Sequence, residues 1–293
     1  MMRAVLLVGA AAAAAVAAVT AERDPTARPT GFDLAVRVDE LLLTVLNTSA
    51  SAASAAEAKI LMEEGCLPAG GPTVRRLLKF STTIRNDGDE DLVIGLPPHN
   101  RSLVTDKWEW GMSHAHWHYR SYADYSLEAA DGTNVGTGRL PANRRRRPNQ
   151  IIGQKTGFCV MDTSCNQKGA QPKYECCNMG VTAGCEDTYD ASLPCQWIDV
   201  TALDTSPDAS DDFTLVVRVN PGNRLGEGRL DNNVARVGVN FGDLHDRGLW
   251  DPFPGNLTAP NPMPYSDEEP ECKAWIDADD RVNPDAPIRR VVY

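Results

Sequence analysis

Three histidines at alternating positions are the side chains of this sequence best suited to metal chemistry. The chain has five histidines, and three of them are His114, His116 and His118. In an extended strand, residues i, i+2 and i+4 point to the same face, so these three imidazoles are predicted to project together. Neutral imidazoles are suitable ligands for copper or zinc. The segment therefore predicts a metal site; the alternative is a half-buried strand whose polar face carries the histidines.

The spacing of the three histidines also sets a condition on the strand that carries them. A flat strand would place the backbone of His114 and His118 ~13 Å apart. Three imidazoles converge on one ion over that span only if the strand bends or twists. Gly111 stands just before the histidines and is expected to help the chain bend there.

Short alternating segments separated by turn signals predict a mainly β fold. Strands are expected at residues 32–38, 74–85, 92–95, 125–128, 213–220 and 234–241. Residues 49–58 are rich in Ala and Ser, and their composition leaves open a weak helix or a surface loop. Strands in this arrangement predict an antiparallel β-sandwich core, with long loops stapled by disulfides.

The N-terminal residues predict export and divide the chain into four parts. Residues 1–21 have a basic start, an apolar middle and a small-residue ending, which is typical of a secretory signal peptide. No later apolar run reaches the ~18 residues that a membrane span needs. The expected organisation is a signal peptide at 1–21, a flexible lead-in at 22–31, one domain at 32–245 and a proline-rich irregular tail at 246–293.

The composition agrees with an extracellular protein and argues against nucleic acid as a partner. The formal net charge is −11, which disfavours a polyanionic ligand. Eight cysteines, an even number in an exported chain, predict four disulfides. Three sites match the pattern for N-glycosylation, at Asn47, Asn100 and Asn256.

Several further motifs, taken together with the alternating histidines, resemble one known family. They are the Trp-Glu-Trp of residues 108–110, the segment 153–165 around Lys155 and Phe158-Cys159, the segment 184–200 with Asp187-Thr188-Tyr189, and shorter matches at 63–67, 85–88 and 231–234. In this order, over roughly residues 32–242, they resemble the catalytic domain of the lysyl oxidase family.

The resemblance implies a copper-dependent amine oxidase with a cofactor made from its own side chains. It implies that His114, His116 and His118 are the copper ligands. It also implies that Lys155 and Tyr189 are the catalytic residues and form the cofactor lysine tyrosylquinone. The expected substrates are lysine side chains of extracellular proteins or small primary amines, which are oxidised to aldehydes with release of hydrogen peroxide and ammonia.

The chain departs from the family pattern at four places. Gly111 stands where the family has a histidine, and Ser113 and Ile60 stand where it has cysteines. The resemblance also implies a calcium site, which draws on Asp33, Leu34, Glu227, Asn232 and Asn233. Arg229 occupies a position of that site where an acid is expected, which argues against calcium.

The spacing of the cysteines predicts short loops around the two cofactor residues. Cys159 with Cys165 would close a loop just after Lys155, and Cys185 with Cys195 would close one around Tyr189. Adjacent cysteines rarely bond each other because the geometry is strained. Cys66 and Cys272 are therefore each expected to pair with one of Cys176 and Cys177.

Two other function classes compete with the amine oxidase. One is an extracellular module that binds copper without turnover, against which the presence of both Lys155 and Tyr189 argues. The other is a zinc hydrolase that uses three histidines and one open position. The sequence lacks the glutamate-bearing helical motif of metalloproteases, which argues against the hydrolase.

Overall fold

A computed structural model describes residues 29–68, 70–98, 105–111, 116–137 and 157–255 of the 293-residue chain. The predicted signal peptide lies outside these residues. So do His114, Lys155 and Cys272.

The described part of the chain forms mostly strands. Its first half contains β1 (Leu34–Asn47), α1 (Ala52–Glu63), β2 (Val74–Asn86), β3 (Leu92–Gly95), β4 (Trp108–Gly111), β5 (His116–Arg120), β6 (Ala123–Ala129) and β7 (Asn134–Thr137). The second half contains β8 (Gly157–Phe158), β9 (Ser164–Cys165), β10 (Met179–Val181), β11 (Cys185–Tyr189), β12 (Trp197–Asp199), β13 (Asp212–Val219), β14 (Val234–Asn240), α2 (Phe241–Asp246) and β15 (Trp250–Gly255).

Strand β2 is the central strand of the largest sheet. It pairs antiparallel with β1 along its whole length, and on its other edge with β11 and β12. The sheet order is β15-β1-β2-β11-β9, with β12 also on β2. Phe80 and Ile84 of β2 are fully buried. Because β11 is anchored on this buried strand, Tyr189 has a fixed position opposite Thr82.

A second, four-stranded sheet packs against the first through a shared core. Its order is β14-β13-β6-β7, and all neighbours run antiparallel. Leu215 and Val217 of β13 are fully buried in the same cluster as Phe80. The rings of Phe80 and Tyr125, from β2 and β6, meet edge to face with centroids 4.8 Å apart. The predicted mainly β fold with an antiparallel core is confirmed.

Two small sheets complete the described fold. Strands β4, β5 and β8 form a three-stranded antiparallel sheet, and β3 pairs with β10. In the first of these, β5 carries two of the alternating histidines, His116 and His118, and Trp-Glu-Trp-Gly forms β4. The predicted Leu92–Gly95 strand coincides with β3.

The segment of undecided structure near residue 50 is a helix. Ser51 caps α1 by accepting a hydrogen bond from the backbone N–H of Ser54 at 3.0 Å. Leu61 of α1 packs in a second apolar cluster with Leu77 and Trp197. None of the helices within the described residues is both long and apolar enough to cross a membrane.

The segment after residue 246, expected to be irregular, begins with a strand. β15 pairs in parallel with β1, and Trp250 lies opposite Leu43. Its two prolines lack a backbone N–H, but β15 is an edge strand, where the lost donor costs least. Residues from 256 onward lie outside the described part.

Three predicted disulfide pairings are wrong, namely Cys159–Cys165, Cys185–Cys195 and Cys66 with Cys176 or Cys177, because the fold joins cysteines that are not the nearest ones in sequence. The bonds are Cys66–Cys195, Cys159–Cys176 and Cys165–Cys185. Cys165 and Cys185 stand directly opposite each other on β9 and β11. Cys195 precedes β12, whose Trp197 donates a hydrogen bond to the carbonyl of Cys66 at 2.9 Å. Cys177 is also disulfide-bonded. Cys272, which was expected to pair with either Cys176 or Cys177, lies outside the described residues, so its pairing stays a prediction.

Peptide mapping of the unreduced protein should recover these three bonds and none of the short-loop bonds. Replacing Cys66 and Cys195 together by serine should lower the free energy of unfolding by about 2–5 kcal/mol, because the bond closes a loop of 129 residues. Chemical denaturation of the double variant measures this loss. A Cys185–Cys195 peptide from folded protein would contradict the observed pairing.

Candidate active site

Two of the three predicted metal ligands lie together in the antiparallel β4–β5 hairpin. In the β4–β5 pair, Gly111 stands opposite His116 and Glu109 opposite His118. His116 and His118 are buried, at 4% and 6% exposure, on one face of β5. Their ring centroids are 4.9 Å apart. The alternation thus brings two imidazoles together as predicted, whereas His114 lies outside the described residues.

Two glycines make room for the His118 side chain. A Cβ on Gly111 would come within 3 Å of the His118 ring, with Nε2 at 2.8 Å. A Cβ on Gly157, in β8, would lie 2.6 Å from the Cβ and 2.8 Å from the Nδ1 of His118. Such contacts are far too short for real side chains. A side chain at either position would therefore force the His118 side chain to move, a constraint that the sequence motifs alone did not reveal.

The carboxylate of Glu109 lies on the same side of the hairpin as His118. Its Oε1 is 2.6 Å from the point where a Gly157 Cβ would stand, the same point that Nδ1 of His118 approaches. Its other oxygen forms an ion pair with Nε of Arg120 at 3.0 Å. A carboxylate beside the outer nitrogen of a metal-binding histidine orients the ring and raises its basicity. Glu109 Oε1 and His118 Nδ1 both border the backbone of Gly157, which makes Glu109 the candidate for this role.

Tyr189 is buried at the end of β11 and directs its hydroxyl at a carboxylate. The phenol donates a hydrogen bond to Oδ2 of Asp187 at 2.5 Å, and the carbonyl oxygen of Cys159 lies 3.0 Å away. Burial, and then the negative charge of Asp187, raise the pKa of the Tyr189 phenol well above its ordinary value. At neutral pH the phenol is protonated, and Asp187 is the adjacent group that can take its proton.

Asp187 is a site residue that the sequence analysis missed. It is 1% exposed and also accepts a hydrogen bond from the backbone N–H of Met161 at 3.3 Å. The signal was present in Asp-Thr-Tyr, since residues i and i+2 of a strand share a face. Only the pairing of β11 with β2 shows that this face is the buried one.

The aromatic ring of Phe158 connects the histidine hairpin to Tyr189. Phe158 of β8 stands opposite Tyr119 of β5 in the three-stranded sheet. Its ring contacts Tyr189 edge to face, with centroids 4.9 Å apart. Tyr122 and Tyr125 contact the same ring at 5.8 and 6.0 Å. One two-residue strand therefore touches His118 through Gly157 and Tyr189 through Phe158.

The donor set of the hairpin fits copper. Metal–nitrogen bonds of about 2 Å hold two imidazole ligands of one ion with their centroids about 5 Å apart, close to the spacing of His116 and His118. Within the described residues, a second group with metal-ligand atoms is Glu64, Cys66 and Cys195. Its two cysteines are joined in a disulfide and offer no thiolates, so that group does not fit a metal.

Comparisons with known proteins point to one family. The family described as lysyl oxidase matches residues 34–247. Lysyl oxidase homolog 2B of Danio rerio is 31% identical over 185 residues, which are 59% of this chain and 20% of that protein. Lysyl oxidase homolog 3A of Danio rerio is 32% identical over 205 residues, which are 65% of this chain and 24% of that protein. Lysyl oxidase homolog 2 of Bos taurus is 34% identical over 190 residues, which are 61% of this chain and 21% of that protein. The matches thus span between a fifth and a quarter of these relatives.

Replacing Gly111 by alanine should weaken copper binding, because the added Cβ displaces the His118 ring. We expect a loss of about 10-fold or more in affinity, the range typical of disturbed support around a metal ligand. Titration of copper-free protein with Cu²⁺, followed by electron paramagnetic resonance, measures it. Gly238→Ala is the matched control, since a Cβ there meets open space on β14. Equal copper affinity in both variants would contradict the steric role of Gly111.

Proposed function

Because this chain belongs to the lysyl oxidase family, we propose that it is a secreted, copper-dependent amine oxidase. It oxidises primary amines, among them the lysine side chains of extracellular proteins, to aldehydes, with dioxygen as the oxidant. One observation carries the proposal. A buried histidine pair and the buried Tyr189, whose phenol is hydrogen-bonded to a carboxylate, are connected through Gly157 and Phe158. The disulfides of the fold fit an extracellular protein, as does the predicted signal peptide at 1–21.

In this proposal His114, His116 and His118 hold the copper ion, and Lys155 and Tyr189 form the lysine tyrosylquinone. The ion and the quinone supply an electrophilic carbonyl and an electron sink for the amine. The net reaction converts the amine, dioxygen and water into the aldehyde, ammonia and hydrogen peroxide. The two buried imidazoles with spacing suited to one ion support the metal assignment.

The surroundings of Tyr189 support its role as the cofactor tyrosine. Its ring is buried against Phe158, which keeps bulk water from the phenol. Asp187 accepts the phenol hydrogen bond and is positioned to take the proton when the ring is oxidised. The carbonyl beside the phenol belongs to Cys159, four residues after Lys155. Covalent geometry therefore limits the distance between the α-carbons of Lys155 and Cys159 to about 14 Å.

Copper-loaded protein should release hydrogen peroxide from a primary amine, and a carbonyl reagent such as phenylhydrazine should block the release. Tryptic digestion of the active protein should yield one cross-linked peptide that contains Lys155 and Tyr189. Tyr189→Phe and Lys155→Arg should each bind copper and lose turnover by at least ~1000-fold, since the cofactor cannot form.

The controls are conservative changes at residues of the same types outside the site. Tyr174→Phe removes a buried hydroxyl that donates to Asp91 at 3.3 Å, and Lys168→Arg alters an exposed loop. Both should stay active. Unmodified Lys155 and Tyr189 peptides from fully active protein would refute the amine-oxidase mechanism. Copper binding without turnover would favour the non-catalytic copper module.

Replacing Asp187 by asparagine should slow formation of the cofactor while copper remains bound. Asparagine keeps the shape of the side chain but is a far weaker proton acceptor, and the raised pKa of Tyr189 means that its phenol does not ionise unaided at neutral pH. We expect the quinone absorbance to appear about 100-fold more slowly after copper addition, as for loss of a general base. Asp190→Asn is the control. Asp190 is exposed and lies three residues after Asp187, so this variant should form the quinone at the normal rate. Normal maturation of Asp187→Asn would exclude the proton-acceptor role.

A further inference from the structure

A cluster of buried polar side chains lies where β1 begins, beside the turn between β13 and β14. It consists of the buried Asp33, Glu227 and Asn233 and the half-buried Asn232, joined by Asn220 directly after β13. Asp33 is 0% exposed and Glu227 is 3% exposed. Two buried carboxylates at one place are costly unless charges or hydrogen bonds compensate them. The resemblance implies a calcium ion as that compensation.

N–H groups satisfy the carboxylate oxygens of the cluster. Glu227 accepts a short hydrogen bond from the backbone N–H of Leu34 on one oxygen. Its other oxygen accepts from the amide nitrogens of Asn220 at 3.0 Å and Asn233 at 2.6 Å. Asp33 accepts from the amide nitrogen of Asn232 at 3.1 Å. Calcium takes oxygen ligands, yet here the asparagines turn N–H groups toward the carboxylates.

The remaining oxygen of Asp33 faces the guanidinium of Arg229. The Nη1 atom of Arg229 lies 3.5 Å from Oδ2 of Asp33. The same guanidinium binds Asp231 on its other side, with Nε 2.6 Å from Oδ1 and Nη2 3.4 Å from Oδ2. The hydrogen bond to Asp231 and the nearby charge of Asp33 raise the pKa of Arg229. A permanent positive charge is therefore held between a buried and an exposed carboxylate.

We propose that Arg229 is a built-in cation of this cluster, so that the domain is stable without calcium. The guanidinium balances the charge of Asp33, and N–H donors satisfy Glu227. An acid at position 229 would instead give three carboxylates around the cluster. Calcium affinity rises with the number of charged ligands. Replacing that acid by a cation removes one negative charge and adds one positive charge at the same place.

Thermal unfolding of the full chain with calcium and with a chelator tests this inference, which does not depend on the amine-oxidase proposal. Wild-type protein should show the same Tm in 5 mM CaCl₂ and in EGTA, and isothermal titration should detect no calcium binding. Arg229→Asp should lose about 5 °C or more in EGTA and regain it in calcium. The side-chain oxygens of Asn232 and Asn233 are buried without a hydrogen-bond partner among the described residues, so they can serve as calcium ligands once an acid replaces the positive charge of Arg229.

Two further variants separate charge compensation from a general loss of stability. Arg229→Met removes the cation without adding an acid, so its Tm should fall and should not respond to calcium. Lys168→Asp makes the same change of charge as Arg229→Asp in an exposed loop, and its Tm should also not respond to calcium. A calcium-dependent rise in the Tm of wild-type protein would overturn the proposal. So would an Arg229→Asp variant that is as stable as wild type in EGTA, or one whose loss calcium does not restore.

Discussion

The close approach of the β8 backbone to the histidine hairpin is the contact on which the candidate site depends. Gly157 lies against the His118 side chain at a distance that admits no Cβ, and the next residue, Phe158, packs on Tyr189. The histidine pair and the tyrosine belong to different sheets, and β8 couples their positions. A side chain at Gly157 would push the strand away and loosen both contacts together. The site is therefore positioned by one short strand and not by either large sheet alone.

Local alternation predicted several strands and the common face of two histidines. It did not predict β11, which carries Tyr189, or β15. The predicted strand at 92–95 has the same bounds as β3. His116 and His118 share a face, as their spacing requires. The two short-loop disulfides, Cys159–Cys165 and Cys185–Cys195, are wrong because closeness in sequence does not imply closeness in space. Cys165 and Cys185 meet only because β9 and β11 pair. The role of Asp187 escaped notice for a similar reason: its burial depends on long-range pairing that no local pattern encodes.

Three buried carboxylates are compensated in three different ways, and the difference separates structural from chemical roles. Asp162 accepts hydrogen bonds from three backbone N–H groups and from the Thr182 hydroxyl, which fastens the cysteine-rich loops. Asp33 is balanced by Arg229 and the amide of Asn232. Asp187 has the phenol of Tyr189 as a partner, a group whose proton can move. Backbone and guanidinium donors keep their protons, so the first two carboxylates are suited to holding the fold in place.

The Cys66–Cys195 bond makes a covalent ring of the chain between those two residues, and His116, His118 and Tyr189 all lie within it. A protease that cuts one peptide bond inside this ring opens it without separating the pieces. The ring includes the four consecutive arginines at 144–147, a segment rich in trypsin-type cleavage sites. Nicked protein would keep its mass under oxidising conditions and fall into two fragments only after reduction. Loss of intact chain on a reducing gel is therefore a poor measure of whether the site has come apart.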